Sequence, residues 1–413
     1  MTAARSLTIF VCHASGHPTD TLPHGDGLLA LEFIRRLAER GHTLHVAIDR
    51  STIARPLPPN AVLHPLNDER VEALSPLVHM VRARALFERL RRSVRFDLIH
   101  QLNPAFTGLS LGMFGSGIPC VIGPYAGNWL EKEKLSPMGH ARHALRMAIR
   151  YTQQRHAAAI LAWNQSALIN VERTGAMRNS QIRKKLHIVP PGIDTDMFAP
   201  GDSPERNRPV ILFLANLVRR KGIFTLLEAF EHVAAAHPTC ILHIGGEGPE
   251  KQELIERAKL SRFAARIRFL GKVDRAQIPA VMRDSEVYCL PSYGEPFGMT
   301  ALEAMACGKP VVATDAGGLA ELVTDAGGRK ARVYDPKSLA SALLEVLNSR
   351  DLRRAMGEAN RRTAIARYSW PRVMDRLEEV YRVTLMGSRG YEPGQYADSG
   401  RAALTTGKGL QSL

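Results

Sequence analysis

The sequence predicts an α/β protein built from two doubly wound domains that face each other across a cleft. Three observations predict it. Short apolar, β-branched runs alternate with longer helix-patterned segments along most of the chain, which is the rhythm of a parallel sheet covered by helices on both faces. The stretch VPPGIDTDMFAPGDSPERNRP, residues 189–209, is rich in Pro, Gly and Asp, lacks periodicity and reads as an interdomain linker. Beyond it the rhythm restarts. Ligands of such sheets bind beyond the carboxyl ends of the strands, so two facing sheets place the site between the domains.

Taken in order, the first half predicts strands at SLTIFVCH, TLHVAI, FDLIHQL, PCVIGPY and AAILAW. Between the first two, GDGLLALEFIRRLAERGH puts Leu28, Leu31, Phe33, Ile34 and Leu37 on one helical face, and Gly41 ends that helix. After the linker, VILFLAN leads to a helix over 221–237 and CILHIGGEG to a helix over 249–260. IRFLG then leads to a helix over 275–283, VYCLPS to one over 299–307, and PVVATDAGG follows. SWPRVMDRLEEVYRVTL, residues 369–385, reads as an amphipathic helix. The remaining stretch is polar, Gly-rich and aperiodic, and reads as a disordered tail. The domain expectation is therefore 1–195 and 205–368, with a tail at 386–413. No repeat of solenoid or propeller period occurs.

Composition narrows the class. The chain has 413 residues, 45% of them hydrophobic and 23% charged, enough apolar material to exclude wholesale disorder. Its formal charge is +15, which calls for an anionic partner: nucleic acid, a membrane surface or a phosphate-bearing substrate. Cys12, Cys120, Cys240, Cys289 and Cys307 are scattered and contain no C-x-x-C pair, which argues against a disulfide framework and a zinc site. No run approaches the roughly 20 apolar residues needed to span a bilayer, and a cytoplasmic location is expected.

The most informative stretch is SYGEPFGMTALEAMACGKPVVAT, residues 292–314. A strand ends in a turn containing Gly294, Pro296 and Gly298, and a helix begins near Met299 or Thr300 and stops at Gly308. The backbone N–H groups of Phe297 to Thr300 are left free there, and the helix dipole adds partial positive charge, an arrangement that suits a phosphate. Gly298 lets the backbone approach a ligand. Glu295 and Glu303 lie eight positions apart around this turn. Each alone reads as an ordinary loop or helix-dipole carboxylate; beside a phosphate site, together, they read as partners for sugar and ribose hydroxyls.

With EPFGMTALEAMACGKPVVATDAGGLAELV the sequence closely resembles the nucleotide-binding half of retaining GT-B glycosyltransferases of family 4, the glycosyl transferases group 1. The resemblance covers about residues 205–350 and extends to NLVRRKGIFTLLEAF, HIGGEGPEKQEL and IRFLGKVDRAQIPAVMRDSEVYCLPS. The helix at YSWPRVMDRLEEVYR is similar to the segment that crosses back onto the N-terminal domain in that family. The resemblance implies a GT-B fold of two Rossmann-like domains and transfer of a hexose from a nucleotide diphosphate sugar. It implies that Glu295 contacts the donor hexose, that Glu303 bonds the ribose hydroxyls, and that Lys221 neutralises the diphosphate leaving group. Phe297, Gly298, Met299 and Thr300 would offer backbone contacts, Gly246 would belong to the same donor site, and Lys272 and Val273 would border the base. Members usually carry Arg five positions before the lysine; here Asn216 stands there, with Arg219 and Arg220 as nearby substitutes.

The N-terminal half matches less closely. SGHPTDTLPHGDG resembles the family's glycine-containing phosphate loop, with Gly25 and Gly27 as candidates, and reads equally as a helix-entry turn with Asp26 as its N-cap. The dinucleotide fingerprint G-x-G-x-x-G is absent, which counts against a dehydrogenase. PCVIGPYAGNW resembles a subgroup with a G-P-x-x-G turn and no histidine. His100 is the substitute candidate for the cleft, with His13 and His24 of similar rank, and Gly127 and Asn128 are candidate sugar contacts. The retaining chemistry implied needs no strong base, because the leaving diphosphate can take the acceptor proton. D-x-D occurs only in the linker, at Asp194 and Asp196, so no metal and no cofactor are expected.

The charge is uneven. Residues 80–155 hold 12 basic side chains against 4 acidic ones, on VRARALFERLRRSVRFD and HARHALRMAIRYTQQR. These read either as ordinary surface helices or as a peripheral contact with an anionic membrane surface, where lipid-linked acceptors reside. Nucleic-acid binding is disfavoured because no aromatic-interleaved basic motif accompanies the charge. The expected function is transfer of a hexose to a glycan or lipid-linked sugar in cell-surface polysaccharide or glycolipid biosynthesis. Two other readings stay open: a non-hydrolysing nucleotide-sugar epimerase, and a catalytically silent sugar-nucleotide-binding protein, which Asn216 keeps alive.

Overall fold

The computed structural model describes residues 6–15, 17–20, 25–67, 75–102, 108–126, 137–201 and 208–387. Among them, β1 (Thr8–His13), β2 (Thr43–Ile48), β3 (Ala61–Pro65), β4 (Leu98–Gln101), β5 (Cys120–Tyr125), β6 (Ala159–Ala162) and β7 (Leu186–Ile188) form one sheet. Its order is β3-β2-β1-β4-β5-β6-β7, and the pairings are parallel. The second sheet holds β8 (Val210–Leu214), β9 (Ile241–Gly245), β10 (Ile267–Gly271), β11 (Val287–Leu290), β12 (Val311–Thr314) and β13 (Gly328–Ala331). Its order, β10-β9-β8-β11-β12-β13, is also parallel. These are two doubly wound, Rossmann-like domains. In each sheet the order of strand addition reverses beside the first strand, between β1 and β4 and between β8 and β11, and these switch points are where ligands dock in such folds.

Burial explains which strands the sequence reveals. VILFL in β8, VYCL in β11 and AILA in β6 are buried throughout, as strands covered on both faces by helices must be. Three strands are additional to those expected from sequence: AVLHP in β3, LHI in β7 and GRKA in β13. All three are outermost in their sheets, where half-exposed positions admit Pro, His, Arg and Lys.

The segment expected as a linker is only partly one. Residues 202–207 lie outside the described residues, but Ile193 and Phe198 before them are buried in the core of the second domain. Ile193 pairs with the segment returning from that domain, its N–H donating to the Tyr368 carbonyl at 2.8 Å. Arg361 donates to the carbonyls of Thr195, Phe198 and Ala306. The chain there is held in place from both sides.

The return is made by a π-helical turn at Ala364–Tyr368, followed by the helix Trp370–Gly387. Its Trp370, Val373, Met374, Leu377, Val380 and Tyr381 share one apolar core with Ile9, Val11, Phe33, Leu37 and Leu98 of the first domain. Trp370 meets Phe33 edge-on at 5.2 Å. Arg40 clasps the exposed side, with Asp375 and Glu378 each at 2.6 Å. The expected tail falls, from residue 388 onward, outside the described residues.

Candidate active site

A cavity of about 790 Å³ lies between the two domains and is walled by both. Ala14 and Leu102, just past β1 and β4, reach it from the first sheet; Leu214, Ala215 and Asn216 reach it from the second. The carboxyl ends at both switch points therefore open into one space.

Its most charged feature is an ion pair. Lys221 closes the one-turn helix Arg219–Lys221, and its Nζ lies 2.6 Å from Glu295 Oε2. Both side chains are largely buried, at 14% and 10% exposure, yet both line the cavity. The two loops that carry them are joined through Arg220, whose carbonyl accepts from Tyr293 N–H at 2.8 Å and from Ser292 Oγ at 3.1 Å. Gly222 follows with φ +71°, and a Cβ there would lie 1.8 Å from the Pro291 carbonyl oxygen. The close seating of this turn on the end of β11 thus depends on a glycine.

Past Glu295 the chain enters the helix Met299–Ala306 from Gly298, at φ +101°. Phe297, Gly298, Met299 and Thr300 line the cavity, with the unsatisfied N–H groups and positive dipole end of the helix among them. The Tyr288 hydroxyl donates to the Leu214 carbonyl at 3.0 Å and accepts from Thr300 Oγ1 at 2.6 Å, which fixes the first helical turn against β8. A Cβ on Gly298 would meet Leu319 Cδ2 at 2.6 Å. The Gly298→Ala variant is therefore expected to fold with a loss of about 1–2 kcal/mol, measured by thermal melts.

Glu303 sits behind this lining, 5% exposed. Arg275 Nη1 is 3.5 Å from its Oε1, and its Oε2 is buried with no hydrogen-bond partner. Burial pushes the carboxyl up to about 7, against the opposing pull of the Arg275 charge. A buried acceptor with an unfilled lone pair is suited to a hydroxyl donor.

Gly246, Asn216, Lys272 and Val273 line the same space. Gly246 has φ +131°, and a Cβ would stand 1.9 Å from the Ala215 carbonyl oxygen.

Several sequence expectations are corrected. His100 does not line the cavity. It is fully buried; its Nε2 donates to the Gly123 carbonyl at 2.8 Å, and Nδ1 accepts from the Tyr381 hydroxyl at 2.7 Å. Burial lowers its pKa to about 4, so it is a neutral core group fastening the C-terminal helix to the first sheet. His13 is buried edge-on against His79. Gly25 opens the helix Gly25–Glu39 and Gly27 belongs to its first turn; Asp26 lines the cavity and Gly27 does not. The Arg220 side chain is not among the lining residues; its backbone is the joint described above. Arg219 turns away, pairing with Glu250 and Glu253 and placing its charge over the Phe224 ring, 4.6 Å from the centroid. Asp194 serves a turn, its Oδ1 accepting from Asp196 and Met197 N–H. His24, Gly127 and Asn128 lie outside the described residues.

The first domain contributes lining residues that sequence reasoning missed: Asp26, Tyr125, Arg150, Trp163 and Asn170. Arg150, on the helix Pro137–His156, donates to Asn170 Oδ1 at 3.3 Å. Burial and the nearby charges of Arg146 and Arg173 lower its pKa, opposed by Tyr125. Arg150 read in sequence as one of many surface cations; only its i+3 and i+4 neighbours Gln153 and Gln154, polar yet buried, hint that this helix face looks inward.

Two family profiles match adjacent parts of the chain. One, described as Glycosyltransferase Family 4, matches residues 25–197, and the other, Glycosyl transferases group 1, matches residues 198–363. The D-inositol 3-phosphate glycosyltransferase of Corynebacterium jeikeium is 36% identical over 219 residues, covering 48% of this chain and 51% of the relative. The phosphatidyl-myo-inositol mannosyltransferase of Mycobacterium tuberculosis is 36% identical over 210 residues, covering 48% and 54%. The chain spans about half the length of the curated relatives it matches. Among solved structures, the sucrose-phosphate synthase of Thermosynechococcus elongatus superposes with a TM-score of 0.70 at 18% identity, over 93% of this chain and all of that one. Anabaena HepE in complex with UDP and glucose superposes with a TM-score of 0.65 at 19% identity, over 92% and 100%. At these identities the superpositions speak for the two-domain fold.

Proposed function

This chain belongs to the group 1, family 4 glycosyltransferases, and from that premise we propose that it transfers a hexose, with retention of configuration, from a nucleotide diphosphate sugar to a glycan or lipid-linked sugar. The observation that carries the proposal is the Lys221–Glu295 pair at the mouth of a helix N-terminus, facing the first domain across one cavity. A fixed cation beside free backbone N–H groups suits a departing diphosphate. The adjacent carboxylate suits a sugar carbon that gains positive charge as the diphosphate leaves. The buried Oε2 of Glu303 supports a ribose contact. HepE is described in complex with UDP and UDP-glucose, which supports a uridine diphosphate sugar as the first donor to assay.

Within this proposal the reaction needs no metal. Lys221, Lys272 and Arg150 line the cavity and supply fixed positive charge; turnover in EDTA equal to that with added Mg²⁺ checks the point. The decisive assay supplies the donor with and without acceptor. Glycosyl transfer consumes donor quickly only when acceptor is present. Conversion of the donor alone to its epimer, or tight binding without turnover, overturns the proposal.

The acceptor's location is part of the same proposal. The helix Pro76–Leu90 exposes Leu77, at 65%, and Val81, at 59%, among arginines. Its Arg84 donates to the carbonyls of Gly112 and Phe114, and the exposed Phe114 meets His156 edge-on at 4.4 Å. The helix Pro137–His156 adds an exposed Leu145. Apolar side chains set among cations suit an anionic lipid surface, which supports a peripheral working position on the inner face of a membrane. Sedimentation with phosphatidylserine-containing vesicles is expected at low salt and is expected to fall as salt screens the charge; no binding at low salt refutes it. Among the described residues no helix is long and apolar enough to cross a membrane.

A further inference from the structure

The loop carrying Glu295 is gripped from both domains at consecutive carbonyls. From the first domain, Asn164 Nδ2 donates to the Pro296 carbonyl at 3.0 Å. Within the second domain, Gly318 N–H donates to the Glu295 carbonyl at 2.7 Å. Gly318 lies in the first turn of the short helix Gly317–Leu322, and that helix reaches back to the first domain. Glu321 Oε2 accepts from Gln165 N–H at 2.9 Å, and Oε1 accepts from Ser166 N–H at 2.6 Å. The three contacts close a ring: turn 164–166, loop 295–296, helix Gly317–Leu322, and back to the turn.

The ring is built tightly. Asn164 is 6% exposed, and its Oδ1 accepts from Ala167 N–H at 2.9 Å and from Ser166 Oγ at 3.0 Å. The amide is thereby oriented: oxygen to its own turn, nitrogen to the opposite domain. A Cβ on Gly318 would lie 2.5 Å from the Pro296 carbonyl oxygen and 2.8 Å from Asn164 Nδ2. A Cβ on Gly317, at φ +56°, would lie 2.5 Å from the Glu295 carbonyl oxygen. Both positions need glycine for the helix to come this close. Trp163 meets Phe297 edge-on at 6.2 Å beside the contact.

We propose that Asn164 and Glu321 are positioning residues that set the backbone of the Glu295 loop according to whether the two domains are closed, so that the sugar-contacting carboxylate is in place only in the closed molecule. The inference rests on the glycosyl-transfer reading for its catalytic consequence and on the ring alone for its structural one. Opening the domains would remove the Asn164 donor and the Glu321 acceptors together, leaving the Gly318 bond to Glu295 as the remaining hold on these two carbonyls. A loop with fewer fixed carbonyls samples more conformations, and a charged group displaced by an ångström loses much of its effect on a transition state.

The test separates the two roles of Asn164. Asn164→Asp keeps an acceptor for Ala167 N–H and Ser166 Oγ but removes the donor to Pro296 and sets a carboxylate against its carbonyl. Glu321→Ala leaves the loop untouched and removes only the distant limb of the ring. Hydrogen exchange of the ligand-free variants, followed at the Gly318 amide and across residues 293–303, is expected to quicken about tenfold in Asn164→Asp, the size of one lost buried hydrogen bond. A smaller quickening in the same segment is expected for Glu321→Ala. Turnover is expected to fall about tenfold in Asn164→Asp with donor KM little changed. Exchange equal to the parent's in both variants overturns the proposal, whatever the turnover. Quickened exchange without any donor turnover in the parent upholds the ring and refutes the glycosyl-transfer reading instead.

Discussion

Glu295→Gln is expected to lower donor turnover by about 10²–10³-fold, the usual cost of losing one preorganised electrostatic group in a reacting site. The same variant is expected to bind nucleoside diphosphate as tightly as the parent or several-fold more tightly. The two effects have opposite signs because Lys221 has two claims on it. Its Nζ sits 2.6 Å from Glu295 Oε2, and a diphosphate must compete for that cation. A neutral amide releases it. Lys221→Ala is expected to show the reverse pattern, losing diphosphate affinity and turnover together, and it leaves the largely buried Glu295 carboxylate without its nearest counter-charge. Calorimetric titration with UDP and steady-state kinetics on the two variants read both signs. Equal weakening of diphosphate binding in both would mean that Glu295 does not face the sugar, and the assignment would fall.

The turn that carries Glu295 was legible in the sequence because its determinants are local, whereas Lys221, 74 positions earlier, was named only by the family resemblance. A buried strand, a turn with Gly294, Pro296 and Gly298, and a helix stopped by Gly308 fit within one short stretch, and the helix indeed runs from Met299 to Ala306. The interior strands were legible for the same reason: a run buried on both faces leaves no position free to be polar. β3, β7 and β13 were hidden because an edge strand can carry Pro, His or Lys on its open side.

The first-domain wall was hidden for a different reason. Whether a helix cation faces solvent or a cleft depends on what packs against it from far along the chain. Arg150 faces the cavity, while His100 is closed off by Tyr381, 281 positions away. No local pattern distinguishes a histidine ending a strand at a cleft from one covered by a returning helix. Asn164 is the extreme case. It follows an apolar strand and reads as a turn residue, yet its bond to Pro296 spans 132 positions. The cations expected to replace the missing arginine at Asn216 show the same limit, since Arg219 is drawn off by Glu250 and Glu253.

Glu303→Gln is expected to stabilise the ligand-free protein above neutral pH while weakening the donor. In the folded chain burial raises the carboxyl from 4.5 to about 7, and Arg275 offsets only part of the rise. An acid whose pKa is raised on folding binds more protons folded than unfolded between those two values, so stability falls as pH rises from about 4.5 to about 7 and stays lower beyond. A shift of this size corresponds to about 3 kcal/mol, by the 1.36 kcal/mol carried by each unit. The neutral amide escapes that cost, so the parent's melting temperature should drop relative to the variant's as pH is raised from 5 to 8.

Donor binding has the opposite slope. Ribose hydroxyls donate to an ionised carboxylate better than to a protonated one, so the bound state holds Glu303 at a lower pKa and binding releases a proton. Affinity for the donor should therefore rise with pH up to about 7 and level off above it, with a slope approaching one proton. In Glu303→Gln the curve should be flat and lie below the parent's plateau. A parent curve without slope across this range would mean that the buried Oε2 does not meet the donor. The same carboxylate is thus a burden to the empty fold and a gain to the loaded one, and a single pH series, with and without donor, measures both.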